Sequence, residues 1–247
     1  AVVEEVQLSP SIKLTKAKQD WSEKYPLNSK DEKRQSRIHG ETLLFGPTDA
    51  KWAEGKFYLQ IEAEGFVGPF GGTACARQSQ RHLKAFFGLG LALRLFEIDV
   101  VYFPVPPVHS LYVHKVQDDQ RQIDGKEKFD LDFSRFLSGI KLGEMFDGAN
   151  DERKKELTKL ILDEMTAVFS AGGKAETIAL AAEWLLDSYT GRDDRLNYIQ
   201  SIVVLEVLLG DKAASDEVGL GQLLRNRCAY MLGRNRDDRD SLMKEFD

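Results

Sequence analysis

Two charged residues occupy positions in the C-terminal part of this chain where a helix would be expected to carry apolar residues. Leu196, Ile199 and Val203 step by three and four residues, the spacing of one helix face. The next position on that stripe is Glu206. The following helical segment has a stripe of leucines and a methionine, and Arg227 lies within it. A carboxylate and a guanidinium on apolar stripes are the strongest candidates for chemistry in this sequence.

Glu206 and Arg227 are expected to be largely buried and to lie within salt-bridge reach of each other or of another buried ion. Burying an isolated charge is costly, and breaking a buried ion pair costs about 3–5 kcal/mol. One interpretation is structural, with an ion pair that sets the register of two helices. The other is functional, with both charges bordering a groove between helices and orienting a phosphodiester. The two interpretations are compatible.

The composition limits the classes of function. The chain has 247 residues, is 42% hydrophobic and 30% charged, and carries a net charge of −6. That apolar content argues against intrinsic disorder, and no global basic field is available to attract nucleic acid, so contact with RNA would need a local patch. Two cysteines cannot by themselves build a four-ligand zinc site. We predict a cytoplasmic protein with no metal and no cofactor. We also predict no membrane span, because the longest apolar stretch, 85–93, is far shorter than a bilayer requires.

The elements that position these residues fall into two regions with different periodicity. The first 30 residues are polar and show little periodicity. Alternating apolar residues then predict strands at 56–66, 96–105 and 109–116. Between them, 77–95 has helical spacing that is weakened by two glycines.

From residue 151 onward the apolar spacing is helical, and glycines mark short connections. Four helices are clear and a fifth begins before the last residue. We predict an α+β fold, with a β-rich domain over 1–145 that includes at least one helix. An antiparallel helical bundle over 146–247 follows, and we expect it to be truncated at its C-terminus.

The bundle region resembles a known family. LNYIQSIVVLEVLLGD (196–211) is followed by a short link and by GLGQLLRNRCAYMLG (219–233). The first segment contains Leu205, Glu206 and Leu208, and the second contains Arg227 and ends in Leu-Gly. This order is similar to the HEPN (higher eukaryotes and prokaryotes nucleotide-binding) domains, in particular the ApeA-like branch, over about residues 150–247.

The resemblance implies a metal-independent endoribonuclease, or its regulatory portion, in prokaryotic antiphage or toxin-type defence. It implies RNA as a partner and a homodimer formed through the helical bundle. Glu206 and Arg227 are then the catalytic candidates. The family's Arg-(4–6)-His motif is not in its expected place, because no histidine follows His114. The alternatives are a non-catalytic HEPN-like module that binds RNA, nucleotides or protein, and an unrelated bundle with a structural ion pair.

Other constellations have simpler explanations. Two Arg–His pairs have the family's spacing but lie outside the bundle, and we interpret them as chance: Arg34 with His39, and Arg77 with His82. His109 and His114 are five residues apart, so on a strand they face opposite sides and cannot share a metal. Three basic segments would form an RNA-contacting patch if they converge, and a solvated surface otherwise: 16–27, 34–39 and 76–84.

Overall fold

A computed structural model describes residues 5–26, 56–63, 71–98, 109–117 and 120–245 of the chain. The strands are β1 (Glu5–Ser9), β2 (Ile12–Lys16), β3 (Phe57–Ile61), β4 (Phe96–Ile98), β5 (Ser110–Gln117), β6 (Gln120–Lys128) and β7 (Ile140–Leu142). The helices are α1 (Trp21–Lys24), α2 (Gly71–Ala92), α3 (Leu131–Gly139), α4 (Asp151–Ser170), α5 (Lys174–Thr190), α6 (Asp194–Leu209), α7 (Lys212–Val218), α8 (Leu220–Leu232) and α9 (Arg236–Glu245). A short 3-10 turn covers Glu144–Phe146.

The strands form three small antiparallel sheets. β2 lies between β1 and β3, and Leu14 at its centre pairs with Val6 on one side and Leu59 on the other. β4 pairs with β7, and β5 pairs with β6 as a hairpin. The first hairpin falls in the segment whose sequence showed little periodicity, because each of its strands is only five residues long. The predicted strand at 96–105 is present over β4, and its remainder lies outside the described residues.

Helix α2 shows why two glycines interrupt an otherwise helical pattern. A Cβ atom added at Gly88 would lie 1.9 Å from the carbonyl oxygen of Ala182 in α5, and one added at Gly90 would lie 2.3 Å from the ring of Phe96. The glycines therefore let α2 approach its neighbours closely, which outweighs their low helix propensity. Two ion pairs, Arg81–Glu183 and Lys84–Asp187, also join α2 to α5.

One apolar core connects the N-terminal sheet with the later helices. Leu8 of β1 and Phe86 of α2 pack in the same buried cluster as Ile161 and Met165 of α4. Ser170 at the end of α4 donates a hydrogen bond to the Leu8 carbonyl at 3.0 Å. The core therefore crosses the boundary expected near residue 145, and the division into two domains stays a prediction.

The C-terminal region is helical, so the mixed α+β architecture is confirmed. The described residues after 150 contain six helices rather than the four or five expected, because the segment interpreted as a link forms α7. Asp211 starts this helix, since its side chain accepts a hydrogen bond from the Ala214 amide at 2.9 Å. No helix within the described ranges combines the length and apolarity needed to cross a membrane.

Candidate functional site

Arg227 closes the C-terminal end of α6. Its Nη1 donates a hydrogen bond to the carbonyl oxygen of Leu209, the last residue of that helix. Its Nη2 lies 4.0 Å from Oδ2 of Asp211, and 38% of its side chain is exposed. A cation at this end of a helix is favourable, because the last carbonyl groups carry partial negative charge. The position of α8 against the end of α6 therefore gives Arg227 a structural role.

Glu206 does not pair with Arg227. Glu206 lies on α6 and is half-buried, and among the described residues its carboxylate makes no ion pair. The expectations that both side chains are largely buried, and that each lies within salt-bridge reach of the other or of another buried ion, are wrong, because the ionic neighbour of Arg227 is the 49% exposed Asp211. The carbonyl groups at the end of α6 take the place of the expected carboxylate partner. A catalytic role for either residue stays a prediction.

The stripe that carries Glu206 is exposed in its first half and half-buried at Val203 and Glu206. Leu196 and Ile199, expected to face the core, are 49% and 57% exposed. The opposite side of α6 faces inward, where the Asn197 side chain donates a hydrogen bond to the Gly191 carbonyl at 3.1 Å and Oε1 of Gln200 is buried. Glu206 therefore borders solvent instead of a bundle interior.

We define the α6 outer face as the side of this helix that lies opposite Asn197 and Gln200 at about 100° per residue. Its members, within about 60° of that direction, are Arg195, Tyr198, Ile199, Ile202, Glu206 and Leu209. Ten of the sixteen residues of α6 are apolar, yet none of them is buried. By contrast, α4 buries Ile161, Leu162 and Met165. A helix that is apolar on all sides is normally enclosed, so the α6 outer face is a candidate binding surface.

The basic segment 76–84 lies within α2, where the helix contacts α5. Arg81 and Lys84 are held by their carboxylate partners on α5, at 3.2 Å and 2.6 Å. These two cations therefore serve helix packing, which reduces what the segment offers to RNA. Segment 34–39, with the Arg34–His39 pair, lies outside the described residues.

The histidines occupy separate environments. Nε2 of His114 donates to the Pro26 carbonyl at 2.7 Å, whereas Nε2 of His109 lies 3.1 Å from the Ser138 hydroxyl. The two rings therefore have different hydrogen-bond partners, on different parts of the chain. Burial lowers the pKa of His82, with a further contribution from Arg81, and burial also lowers the pKa of His109. The part of the chain that the structure describes contains no group of three or more His, Cys, Asp or Glu side chains placed to hold a metal ion.

Sequence reasoning missed the α6 outer face because it assigned the apolar stripe to the core. The signal in the sequence was that apolar residues surround the whole of α6. In such a helix no single apolar stripe identifies the side that faces the core. Comparison with protein-family models, curated proteins and solved structures found no match to this chain. The resemblance to HEPN domains therefore stays a hypothesis.

Proposed function

We propose that this protein is a protein-interaction module and that the α6 outer face is its binding surface. The observation that carries this proposal is the contrast between the composition of α6 and its burial. Tyr198 and Ile199 are 68% and 57% exposed, and they lie next to each other on the outer side of the helix.

Covering this face would be favourable. Full burial of an aliphatic or aromatic side chain contributes about 1.5–3 kcal/mol, so covering the exposed half of several such residues contributes several kcal/mol in total. Large aromatic residues near the centre of a surface are typical anchors for a partner. Tyr198 is the aromatic residue of the α6 outer face and is 68% exposed.

Large apolar side chains are also exposed on the two helices that follow α6. Val218 at the end of α7 and Leu220 at the start of α8 are exposed, as are three consecutive residues at the end of α8: Tyr230, Met231 and Leu232. Monomeric proteins rarely leave extended apolar patches uncovered. This distribution supports an interaction role for the C-terminal helices.

Endoribonuclease activity, RNA binding and a place in antiphage defence stay predictions that rest on the sequence resemblance. The structural feature closest to them is the Arg227 guanidinium, which is anchored at Leu209 and remains partly exposed. Incubation of the protein with labelled single-stranded RNA tests both binding and cleavage. Arg227→Met is the matched variant, and cleavage that survives it would exclude Arg227 as the catalytic group.

The interaction role is tested by photo-crosslinking in the source cells. A benzoylphenylalanine replaces Tyr198, and the control places it at Leu160, an exposed apolar residue on α4. We expect a discrete adduct from position 198, none from position 160, and loss of the adduct when Ile199→Lys is added. Equal adducts at both positions, or none at position 198, would contradict the proposed function.

A further inference from the structure

The end of α8 exposes three consecutive large apolar side chains. Tyr230, Met231 and Leu232 are 66%, 72% and 68% exposed, and Met231 is the most exposed large apolar side chain in the described ranges. Met231 follows Leu224 by seven residues, two helical turns less about 20°, so both project from one side of α8. Leu224 is buried. The apolar side of α8 therefore continues past the point where the protein covers it.

Arginine residues surround this apolar group. Residues 218–236 contain four arginines and no aspartate or glutamate, in a chain that carries 40 acidic residues and a net charge of −6. Arg234 lies in the turn after α8, and Arg236 begins α9. Cζ of Arg239 lies 4.6 Å from the centre of the Tyr230 ring, so Arg239 belongs to the same surface. We define the α8–α9 surface as Tyr230, Met231, Leu232, Arg234, Arg236 and Arg239.

The arginines of this surface form few ionic contacts within the protein. In the part of the chain that the structure describes, Arg234 and Arg239 make no ion pair, and Arg236 approaches Asp240 only to 3.9 Å. A cation in the first turn of a helix is unfavourable, because the amide groups there carry partial positive charge. Arg236 therefore does not stabilise α9, and its charge is available to an anionic partner.

The acidic residues at the start of α9 do not cancel these positive charges. Asp237 lies two residues before Arg239, so the two side chains project about 160° apart around the helix. Asp238 is half-buried, and Asp240 lies beside Arg236. The α8–α9 surface therefore keeps an excess of positive charge.

We propose that the α8–α9 surface binds an acidic amphipathic protein segment, in which large aliphatic side chains are flanked by aspartate or glutamate. Aliphatic side chains of the segment cover Met231 and Leu232, and its carboxylates pair with Arg234 and Arg236. Aromatic residues, methionine and arginine are the residue types enriched in protein interfaces. This surface is separate from the α6 outer face, so the proposal adds a second contact, with a partner of stated chemistry, to the interaction role proposed above.

The side chains of the α8–α9 surface favour a protein over a nucleic acid. Single-stranded nucleic acid binds through bases that stack on open aromatic faces, together with cations along its backbone. Tyr230 is the aromatic residue of this surface, and Arg239 already covers one face of its ring. Met231 and Leu232 instead offer aliphatic contacts, and methionine adapts readily to the shape of a partner. An acidic amphipathic segment matches both the aliphatic side chains and the arginines.

Fluorescence anisotropy of labelled synthetic peptides tests this chemistry with the full chain. The first peptide repeats Glu-Leu-Leu-Glu over about four helical turns, and the second replaces every glutamate with lysine. We expect a micromolar dissociation constant for the glutamate peptide and about ten-fold weaker binding of the lysine peptide. Raising the salt concentration to about 0.5 M should weaken binding of the glutamate peptide several-fold, because salt screens exposed charge pairs.

Two exposed substitutions locate the binding site. Met231→Ser should weaken binding of the glutamate peptide about ten-fold, and Arg236→Glu about five-fold. Arg236→Glu also favours the dipole of α9, so it leaves folding intact. The matched controls on α4 are Leu160→Ser and Arg153→Glu, which change an exposed apolar residue and an exposed arginine. Both controls should leave binding unchanged, and circular dichroism verifies that all four variants are folded.

Four outcomes would overturn this inference. The first is no binding of the glutamate peptide at about 100 µM protein, and the second is equal binding of the two peptides. The third is a labelled oligouridylate that binds more tightly than the peptide and is weakened by Arg236→Glu but not by Met231→Ser, which would assign the surface to nucleic acid. The fourth is self-association of the protein that Met231→Ser abolishes, which would assign the surface to a second copy of the chain.

The two proposed surfaces fail separately. If Ile199→Lys weakens binding of the glutamate peptide and Met231→Ser does not, the acidic segment binds the α6 outer face. That result would overturn the inference about the α8–α9 surface, while the interaction role would stand. Absence of the crosslinked adduct from position 198 would instead remove the α6 outer face, and peptide binding that depends on Met231 and Arg236 would still support the α8–α9 surface.

Discussion

Replacement of Arg227 by methionine distinguishes two arrangements of this side chain. One is the observed contact with Leu209 and Asp211, and the other is a buried ion pair with Glu206. Methionine keeps the length and much of the apolar stem but removes the guanidinium. The change therefore deletes the hydrogen bond to the Leu209 carbonyl and the 4.0 Å approach to Asp211. It leaves no buried carboxylate without its partner, because Glu206 is not paired with Arg227.

The expected loss of stability is small. A cation at a helix C-terminus contributes about 0.3–1 kcal/mol, and an exposed pair such as Arg227–Asp211 contributes at most about 0.5 kcal/mol at this separation. The guanidinium is 38% exposed, so water screens both interactions. We expect Arg227→Met to lower the free energy of unfolding by about 1 kcal/mol, well below the roughly 3–5 kcal/mol of a broken buried ion pair.

Urea denaturation followed by circular dichroism measures this loss. A double-mutant cycle with Glu206→Gln should give additive effects, with a coupling energy within about 0.5 kcal/mol. A loss of about 3 kcal/mol or more that Glu206→Gln restores would show a buried Glu206–Arg227 pair. That result would refute the placement of Arg227 at the end of α6.

Two further predictions concern packing and pH. Gly88→Ala would place its Cβ 1.9 Å from the Ala182 carbonyl, so we expect a net loss of about 1–3 kcal/mol in unfolding free energy despite the better helix propensity of alanine. Gly221→Ala in α8 meets nothing within 4 Å and should be neutral or stabilising; equal effects at the two sites in urea denaturation would contradict this. Burial, with a smaller contribution from Arg121, lowers the pKa of His114 below its usual value near 6.5, so protonation favours the unfolded chain and stability is lost as the pH falls below that value. The wild type should lose more stability than His114→Gln between about pH 7.5 and about pH 5, and equal losses would exclude a contribution from His114.

The mixed α+β architecture was predictable because long helices leave a strong local signal. In α4, apolar residues repeat at helical spacing and Asn150 caps the start of the helix. Both the type of this element and its position in the chain therefore follow from nearby residues. The short strands β1 and β2 leave too few alternations to detect, and the pairing of β2 with β3 depends on residues more than 40 positions away. The close approach at Gly88 likewise depends on Ala182, which no local pattern identifies.

The sequence by itself determined that α6 is a helix, that it is unusually apolar and that Glu206 shares a stripe with Ile199. Only the tertiary structure decided that this stripe is exposed in its first half and half-buried after it, because a helix with apolar residues on every side has no single phase that periodicity can assign to the core. The partner of Arg227 was undetermined for a related reason. A guanidinium is satisfied equally well by a carboxylate or by the carbonyl groups at a helix end, and the path of α8 past Leu209 selects the carbonyl.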